Sequence, residues 1–344
     1  MNHLYALIAN FLAFACAAML VWWAAKRLTG QADAIAERTG LGQAVVGFLL
    51  LGAATSLPEV AVSVSATLHG TPELTVNDVL GSAAINVLLL ALADIAVRRH
   101  ALTALQDSPK VGVMGVLGMM MMAVVAAQAL SGDVLLLGLG AWSWALLAIY
   151  VSAVWILGHS HAAEAWRARA HYGRLRAAPG GGAEDTRPLS RLIAGAALSA
   201  ALILVAGYIL TRSGESIARQ TGLGTNFFGV VFMAVATSMA EISTVIAAVR
   251  LRRYEMAVAD IFGTNLFNAS VVIVLTDALH GGGPVLADVG PFASLAALLA
   301  LLMTAVFVIG ILERRDRTVF GVGIDSLAVI LMYGVGLTVL YAMR

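Results

Sequence analysis

Four acidic residues stand inside long apolar segments of the chain, where a charged side chain is costly. They are Glu59, Asp78, Glu241 and Asp260. At the centre of a bilayer, a charged side chain costs about 2.5–3.5 kcal/mol on insertion scales. The nearest Lys and Arg residues lie only at the ends of these segments. A mobile positive charge, either protons or a metal ion, must therefore neutralise the carboxylates.

The polar residues that accompany these acids all offer oxygen, and no His or Cys stands among them. Pro58 has no amide hydrogen, so it leaves the carbonyl of Ala54 without its helical partner. Oxygen ligands suit calcium, sodium, magnesium or manganese rather than zinc or copper. The candidate ligands are Glu59, Glu241, Asp78, Asp260, Thr55, Ser56, Thr237, Ser238, Ser82, Thr264, Asn86 and Asn268, with Ala54 and its counterpart Ala236.

These residues belong to an internal repeat in which every pair of counterparts is separated by the same distance along the chain. Ala54-Thr-Ser-x-x-Glu59 recurs as Ala236-Thr-Ser-x-x-Glu241, and Asp78 and Asn86 recur as Asp260 and Asn268. Chance agreement between apolar helices produces scattered Ala and Leu matches, but not aligned acids, amides and hydroxyls. The repeat therefore indicates two related halves that share one site.

The composition requires these residues to be carried on membrane-spanning helices. Of the 344 residues, 60% are hydrophobic and 12% are charged, whereas a soluble domain carries about 25% charged residues. A disordered chain, a coiled coil and a soluble nucleic-acid-binding protein are excluded on these grounds. Cys16 is the single cysteine, so no disulfide scaffold can form.

Ten segments are long enough to cross a hydrocarbon core of about 30 Å. Five fall in each half, and because five is odd, the second half enters the membrane from the opposite side. The predicted fold is an all-α membrane protein of ten transmembrane helices in two inverted five-helix repeats. The predicted spans are 4–25, 41–68, 72–97, 111–131, 134–158, 192–211, 225–249, 255–279, 288–312 and 319–342.

Three regions follow from this count: a first half (1–158), a linker (159–191) and a second half (192–344), with repeats at about 39–95 and 221–277. Alternate loops hold 18 of the 21 Lys and Arg residues, which predicts a cytoplasmic linker and both termini outside. The Arg-over-Lys bias and the lack of a large regulatory loop suggest a prokaryotic inner membrane.

The inverted arrangement predicts where the acids lie in the membrane. Glu59 stands nine residues from the outer end of its span, about 13.5 Å deep at 1.5 Å per residue. By inversion Glu241 reaches a similar depth from the inner face, so we expect the four carboxylates to meet near the midplane. Asp94 and Asp277, near span ends, are interpreted as ordinary acids at water.

At these motifs the chain resembles the calcium:cation antiporter superfamily, the sodium/calcium exchangers and their prokaryotic relatives. Ala54-Thr-Ser-Leu-Pro-Glu59 and the run from Asn77 to Asn86 match the two motifs of the first repeat in that family. The resemblance implies cation exchange by alternating access, with the two glutamates shared by competing ions. It also implies that Thr55, Ser56, Thr237 and Ser238 help to bind sodium.

Three residues depart from the family pattern. Asp78 stands where many sodium/calcium exchangers have Asn, and this added carboxylate either strengthens divalent binding or holds a proton. Ala83 replaces a motif Asn, and Ala240 replaces the motif Pro, so we expect a less enforced helix break in the second repeat. The exchanged pair stays open: sodium/calcium first, proton/calcium second, and magnesium or manganese third.

Other classes of function fit the residues less well. A passive channel favours symmetric assembly around an axis along the membrane normal, and a primary pump needs a nucleotide-binding loop that this chain lacks. An intramembrane enzyme would use paired carboxylates, but no matching nucleophile accompanies them. The expected partners are the transported cations and the lipid bilayer, with no enzymatic activity, no cofactor, no nucleic acid and no obligate protein partner.

Overall fold

The computed structural model describes residues 2–68, 70, 72–97, 100–106, 108–159, 187–221, 237–288 and 290–342. The first half contains α1 (Asn2–Thr39), α2 (Gln43–Val46), a π-helical turn (Gly47–Leu51), α3 (Gly52–Thr55), α4 (Leu57–Leu68), α5 (Pro72–Val97), a 3-10 turn (Leu102–Leu105), α6 (Pro109–Ser131), β1 (Leu135–Leu136), β2 (Leu139–Gly140) and α7 (Ala141–His159). The second half contains α8 (Leu189–Thr221), α9 (Met239–Arg250), α10 (Tyr254–Phe267), a π-helical turn (Asn268–Val272), α11 (Ile273–His280), a 3-10 turn (Val285–Asp288), α12 (Pro291–Glu313), β3 (Thr318–Val319), β4 (Val322–Gly323) and α13 (Ile324–Ala342).

Nine helical segments within these described residues are long and apolar enough to cross a membrane. They correspond in order to nine of the ten predicted spans. The remaining span was predicted at 225–249, of which residues 225–236 lie outside the described residues. Its second part is present as α9.

The first helix of each half is longer than predicted. α1 has 38 residues, about 57 Å at 1.5 Å per residue, and α8 has 33 residues where the span was predicted at 192–211. The two helices pack against each other. Leu28, Ala32 and Ile35 continue the buried stripe of α1 beyond the predicted end at residue 25. The part of α1 that extends beyond the predicted span is therefore largely buried against its neighbours, as far as Ala36.

The last span of each half was predicted to begin as a helix, at residues 134 and 319. In the structure each of these spans begins with a β-hairpin instead. The hairpin loops are Leu137-Gly138 and Phe320-Gly321, and all four residues have positive φ, between 51° and 86°. Two-residue hairpin turns of this kind need positive φ at both central positions. The helices α7 and α13 start only after the second strand.

The predicted linker 159–191 also differs at its end. Residues 160–186 lie outside the described residues, and α8 begins at Leu189, directly after Pro188. Proline fixes its own φ and disfavours helix in the residue before it, which explains a helix start at this position.

The two halves interleave around a common core. Buried side chains of α5, α6 and α7 form one cluster with those of α10, α12 and α13, including Leu90, Met121, Phe262 and Phe307. A second cluster lies between α1 and α8 and includes Leu28 and Ile203. Helices that carry the candidate site therefore pack on partners from the other half.

Candidate cation site

Both acidic hairpins are interrupted just before their glutamate. Ser56 separates α3 from α4 with φ −76° and ψ −2°, and Ser238 precedes α9 with φ −74° and ψ 4°. The second repeat forms a break of the same backbone geometry although Ala240 replaces the motif proline. Proline is tolerated at this position rather than required, since the first amides of a helix have no intrahelical partner.

Glycines let the first hairpin cross α10 at backbone distance. A Cβ placed on Gly52 would lie 2.8 Å from the backbone carbon of Gly263, and one placed on Gly263 would lie 2.8 Å from the Cα of Phe48. Only glycine allows this approach. As a result the hydroxyls of Thr55 and Thr264 lie 2.9 Å apart, so one hairpin reaches the site residues of the other.

Glu59 and Glu241 are the two glutamates of the repeat, and both are fully buried, with 1% and 0% of their surface exposed. None of their four carboxylate oxygens has a hydrogen-bond partner among the described residues. The two side chains interact electrostatically with each other. Two buried and unpartnered carboxylates of this kind need protons or a bound cation to neutralise them, because an uncompensated buried charge is strongly unfavourable.

The two aspartates stand beside the glutamates in different surroundings. Asp78 is partly exposed and interacts electrostatically with both Glu59 and Glu241. Asp260 is buried and interacts electrostatically with Glu241. Its Oδ2 accepts a hydrogen bond from Thr244, while its Oδ1 has no partner among the described residues.

The hydroxyls of the motif mostly donate to their own helix. Thr55 donates to the Leu51 carbonyl (3.1 Å), Ser56 to the Gly52 carbonyl (2.7 Å) and Ser82 to the Val79 carbonyl (3.0 Å). A hydroxyl that donates its proton in this way still offers its lone pairs to a cation. Thr55 also lies near the carboxylates of Glu241 and Asp260.

A threonine and a serine of the second repeat line the matching break. Thr237 and Ser238 are buried, and the Ser238 hydroxyl is without a hydrogen-bond partner in the described part of the chain. Ala236 lies outside the described residues, so its carbonyl is not placed, while Ala54 is buried in the first repeat.

The amides occupy the line where the two halves meet. Asn86 donates to Asn265 (2.9 Å), and Asn265 donates to the carbonyl of Ala83 (3.2 Å), its own counterpart in the repeat. The amide of Asn268 is buried, and neither its oxygen nor its nitrogen has a partner among the described residues. Asn265 is not among the ligands predicted from the sequence, although its place in the motif is a usable signal.

The site offers many oxygens but no compact group of acids. Within the described ranges, no three His, Cys, Asp or Glu side chains are close enough to hold one metal ion. A cation in this arrangement would therefore combine one or two carboxylates with neutral hydroxyl, amide and carbonyl oxygens. Calcium accepts mixed oxygen shells of this type with flexible geometry.

The sequence suggested that Asp94 and Asp277 are ordinary acids at water. This interpretation is wrong, because both side chains are buried. Asp94 accepts hydrogen bonds from the amides of Leu102 (2.5 Å) and Gly323 (2.6 Å). Asp277 accepts them from Val285 (2.8 Å) and Gly140 (2.6 Å). Each aspartate therefore ties the end of its helix to a hairpin of the other half; we call these pairs of bonds the aspartate latches.

The aspartate latches reveal a change of register in the repeat. Asp94 and Asp277 are one residue further apart in the chain than Asn86 and Asn268. The two hairpin glycines of the latches, Gly140 and Gly323, are separated by the same longer distance. The helix of the second repeat contains a π-helical turn at Asn268–Val272 where α5 is continuous. A π turn accommodates one extra residue, which accounts for the shift.

Comparison with known proteins identifies related chains. A family model described as sodium/calcium exchanger protein matches residues 9–158 and 191–343. The chain is 28% identical to the inner membrane protein YrbG of Escherichia coli, over 89% of this chain and 90% of that protein. It is 23% identical to the putative antiporter CaxA of Alkalimonas amylolytica, over 87% of this chain and 90% of that protein.

A solved structure shares the fold. The sodium-calcium exchanger NCX_Mj, soaked with Na+ and Sr2+, matches with a TM-score of 0.70 at 14% identity, covering 96% of this chain and 99% of that one. A match in the NCX_Mj crystal soaked without Na+ and Ca2+ has a TM-score of 0.68. The predicted all-α membrane fold with two inverted repeats is confirmed by these matches and by the family match to both halves.

Proposed function

Because this chain belongs to the sodium/calcium exchanger protein family, we propose that it is a secondary antiporter that exchanges calcium for sodium. It is an integral multi-pass membrane protein of a family of transporters rather than enzymes. Beyond membership of this family, we propose which two ions are exchanged and which residues bind them.

The observation that carries this proposal is the pair of buried glutamates. Glu59 and Glu241 come from equivalent places in the two repeats, interact electrostatically, and have no partner for any of their four oxygens among the described residues. A divalent cation neutralises two carboxylates at once. Sodium ions that occupy the same oxygens neutralise them one charge at a time, so the two kinds of ion compete for one site.

Neutral oxygens around the glutamates complete the proposed shells. Thr55, Ser56, Thr237 and Ser238 would supply hydroxyls for sodium, and Asn86 and Asn268 would supply amide oxygens. Calcium would take at most two carboxylates at a time, from Glu59, Glu241 and Asp260, with the carbonyl oxygens near the helix breaks. Because empty carboxylates are costly to bury, the site would change sides only when cations fill it, which couples the two fluxes.

The inverted repeat provides a physical basis for alternating access. Two halves of opposite orientation can exchange conformations, so that a midplane site opens first to one side and then to the other. We place the protein in a prokaryotic inner membrane, supported by the name of the Escherichia coli relative. The termini would lie outside and residues 159–191 in the cytoplasm, supported by the loop charges.

The test is calcium uptake by proteoliposomes that contain the purified protein. We expect uptake under an imposed outward sodium gradient, and none into protein-free liposomes under the same gradient. Uptake driven only by a pH gradient, with no response to sodium, would overturn the sodium assignment. Uptake that needs neither gradient and only follows the calcium gradient would indicate a channel.

Asp78 supports proton-coupled calcium exchange as a second candidate. It adds a carboxylate where many sodium/calcium exchangers carry Asn, and it interacts electrostatically with both glutamates. Four ionised carboxylates around one divalent ion leave two negative charges in excess, which protons on the aspartates would remove. The pH-gradient arm of the experiment tests this alternative directly.

A further inference from the structure

Thr244 touches the site, although neither the repeat nor the family motif includes it. It lies one helical turn after Glu241 on α9 and is fully buried. Its hydroxyl oxygen is 3.1 Å from the Glu241 carbonyl and also within hydrogen-bond distance of Asp260 Oδ2. A hydroxyl has one proton, and a bond to a carboxylate is stronger than one to a neutral carbonyl, so the proton goes to Asp260.

The first repeat has no equivalent hydroxyl. The counterpart of Thr244, at the offset that relates the two glutamates, is Val62, which is also buried. Valine has nearly the same shape as threonine but cannot donate a hydrogen bond. The structure shows no side chain from the described residues that donates to Asp78. The two aspartates therefore occupy equivalent positions of the repeat, but among the described residues only Asp260 accepts a hydrogen bond from a side chain.

The hydrogen bond from Thr244 holds one carboxylate oxygen of Asp260 and thereby fixes the direction of the other oxygen. With Oδ2 of Asp260 held, its Oδ1 has no partner among the described residues, while the carboxylate interacts electrostatically with Glu241 and lies near the Thr55 hydroxyl. A ligand whose rotamer is already held loses less conformational entropy on binding a cation. Asp78 would have to become ordered when the ion arrives.

We propose that Thr244 is a positioning residue that presents Asp260 to calcium, so that the two halves of the site contribute unequally to divalent binding. This inference rests on the proposed function for the identity of the ion. The unequal contribution is due to one hydroxyl, which is present in the second repeat at Thr244 and absent from the first repeat at Val62.

Three variants test the role of the hydroxyl. Thr244→Val removes it with little change of shape, Thr244→Ser keeps it, and Val62→Thr adds one at the matched position of the first repeat. Calcium-dependent exchange in proteoliposomes gives the half-saturating calcium concentration and the maximal rate. Thermal unfolding in detergent, with and without calcium, reports binding without transport, because a ligand that binds the folded state stabilises it.

We expect Thr244→Val to raise the half-saturating calcium concentration by about tenfold, the order of one charge-assisted hydrogen bond. Its maximal rate should change less than threefold, and Thr244→Ser should return the half-saturating concentration to within about threefold of the unmodified chain. Val62→Thr should leave it unchanged or lower it. Calcium should raise the unfolding temperature of the unmodified chain more than that of Thr244→Val.

Two results would overturn the inference. One is a Thr244→Val protein with unchanged half-saturation and unchanged calcium stabilisation. The other is a loss of maximal rate alone that Thr244→Ser does not restore, which indicates a structural role. If the unmodified chain is stabilised by calcium in a Thr244-dependent way but exchanges none, the proposed function fails and the positioning role stands. If calcium neither stabilises the chain nor is exchanged, both fail.

Discussion

Glu59 and Glu241 are costly at the residue scale, because each is buried with no counter-charge among the described residues. A fold that needed only packing at these positions would gain stability from apolar residues of similar volume. Their presence at equivalent places in both repeats is explained by a positively charged substrate.

We expect Glu59→Gln and Glu241→Gln each to abolish divalent exchange while the protein remains folded. Glutamine keeps the shape but removes the charge that attracts the cation, and it costs less to bury. Calcium flux in proteoliposomes and elution as a monodisperse species in detergent are the measurements. Glu73→Gln, at an exposed acid, is the matched control and should retain flux within about twofold. Flux at the unmodified level in either site variant would contradict a shared site.

Asp78→Asn separates the two candidate counter-ions, because it restores the amide common in sodium/calcium exchangers with nearly the same shape. We expect sodium-driven calcium flux to survive in this variant with an altered calcium affinity. If protons are the counter-ion, flux driven by a pH gradient should instead collapse. Unchanged flux, affinity and pH profile under both gradients would mean that Asp78 lies outside the site.

Pro58 and Ala240 show how matched elements of the two repeats pack differently around the same break. A Cβ placed on Gly207 of α8 would lie 2.7 Å from the Cβ and Cγ of Pro58, so glycine makes room for the proline ring. The counterpart of Gly207 is Ala25 of α1, opposite a repeat that has Ala240 instead of proline. The first pair thus combines a large and a small residue, Pro58 with Gly207, where the second combines two alanines.

This packing predicts a double-mutant cycle. Gly207→Ala alone should destabilise the protein by about 1–3 kcal/mol, as overpacking does. Gly207→Ala combined with Pro58→Ala reproduces the pair found in the second repeat and should recover most of the loss. Thermal unfolding in detergent measures all four corners of the cycle. Strictly additive effects would show that the two residues are not coupled.

The aspartate latches act on the scale of the whole molecule, because each joins the end of one repeat helix to a hairpin from the other half. In the proposed orientation, Asp94 would lie towards the cytoplasmic face and Asp277 towards the outer face. Buried carboxylates that accept two backbone hydrogen bonds are stabilising. The two latches therefore hold the interleaved core of helices together at both ends.

We expect Asp94→Asn and Asp277→Asn each to lower the thermal unfolding temperature by at least about 2 °C. Asparagine presents a donor to one of the two amides and so leaves it unpaired, and one bond to a charged group contributes about 1.5–3 kcal/mol. The exposed Glu313 provides the control Glu313→Gln, which should unfold at the unmodified temperature. Two latch variants as stable as this control would show that the bonds do not hold the halves together.

The sequence alone determined the features that depend on local composition and on the repeat. Apolar length defined nine spans that the structure describes, and the constant offset of the repeat identified the paired acids Glu59 and Glu241. Helix boundaries near loops were less predictable: α1 continues past the predicted end at residue 25 because its residues as far as Ala36 are buried against other helices, α8 among them.

Only the tertiary structure decided which polar residues act together. Asp94 and Asp277 look like ordinary acids near span ends, yet the hairpin amides that bind them are 229 and 137 residues away in the chain. The π turn at Asn268–Val272 lengthens the repeat offset by one residue and hides the correspondence between the two aspartates. Thr244 and Val62 differ by one hydroxyl, whose effect exists only because folding places α9 against Asp260. Hydrogen bonds between distant segments form after packing brings them together, so residue types and spacing do not contain them.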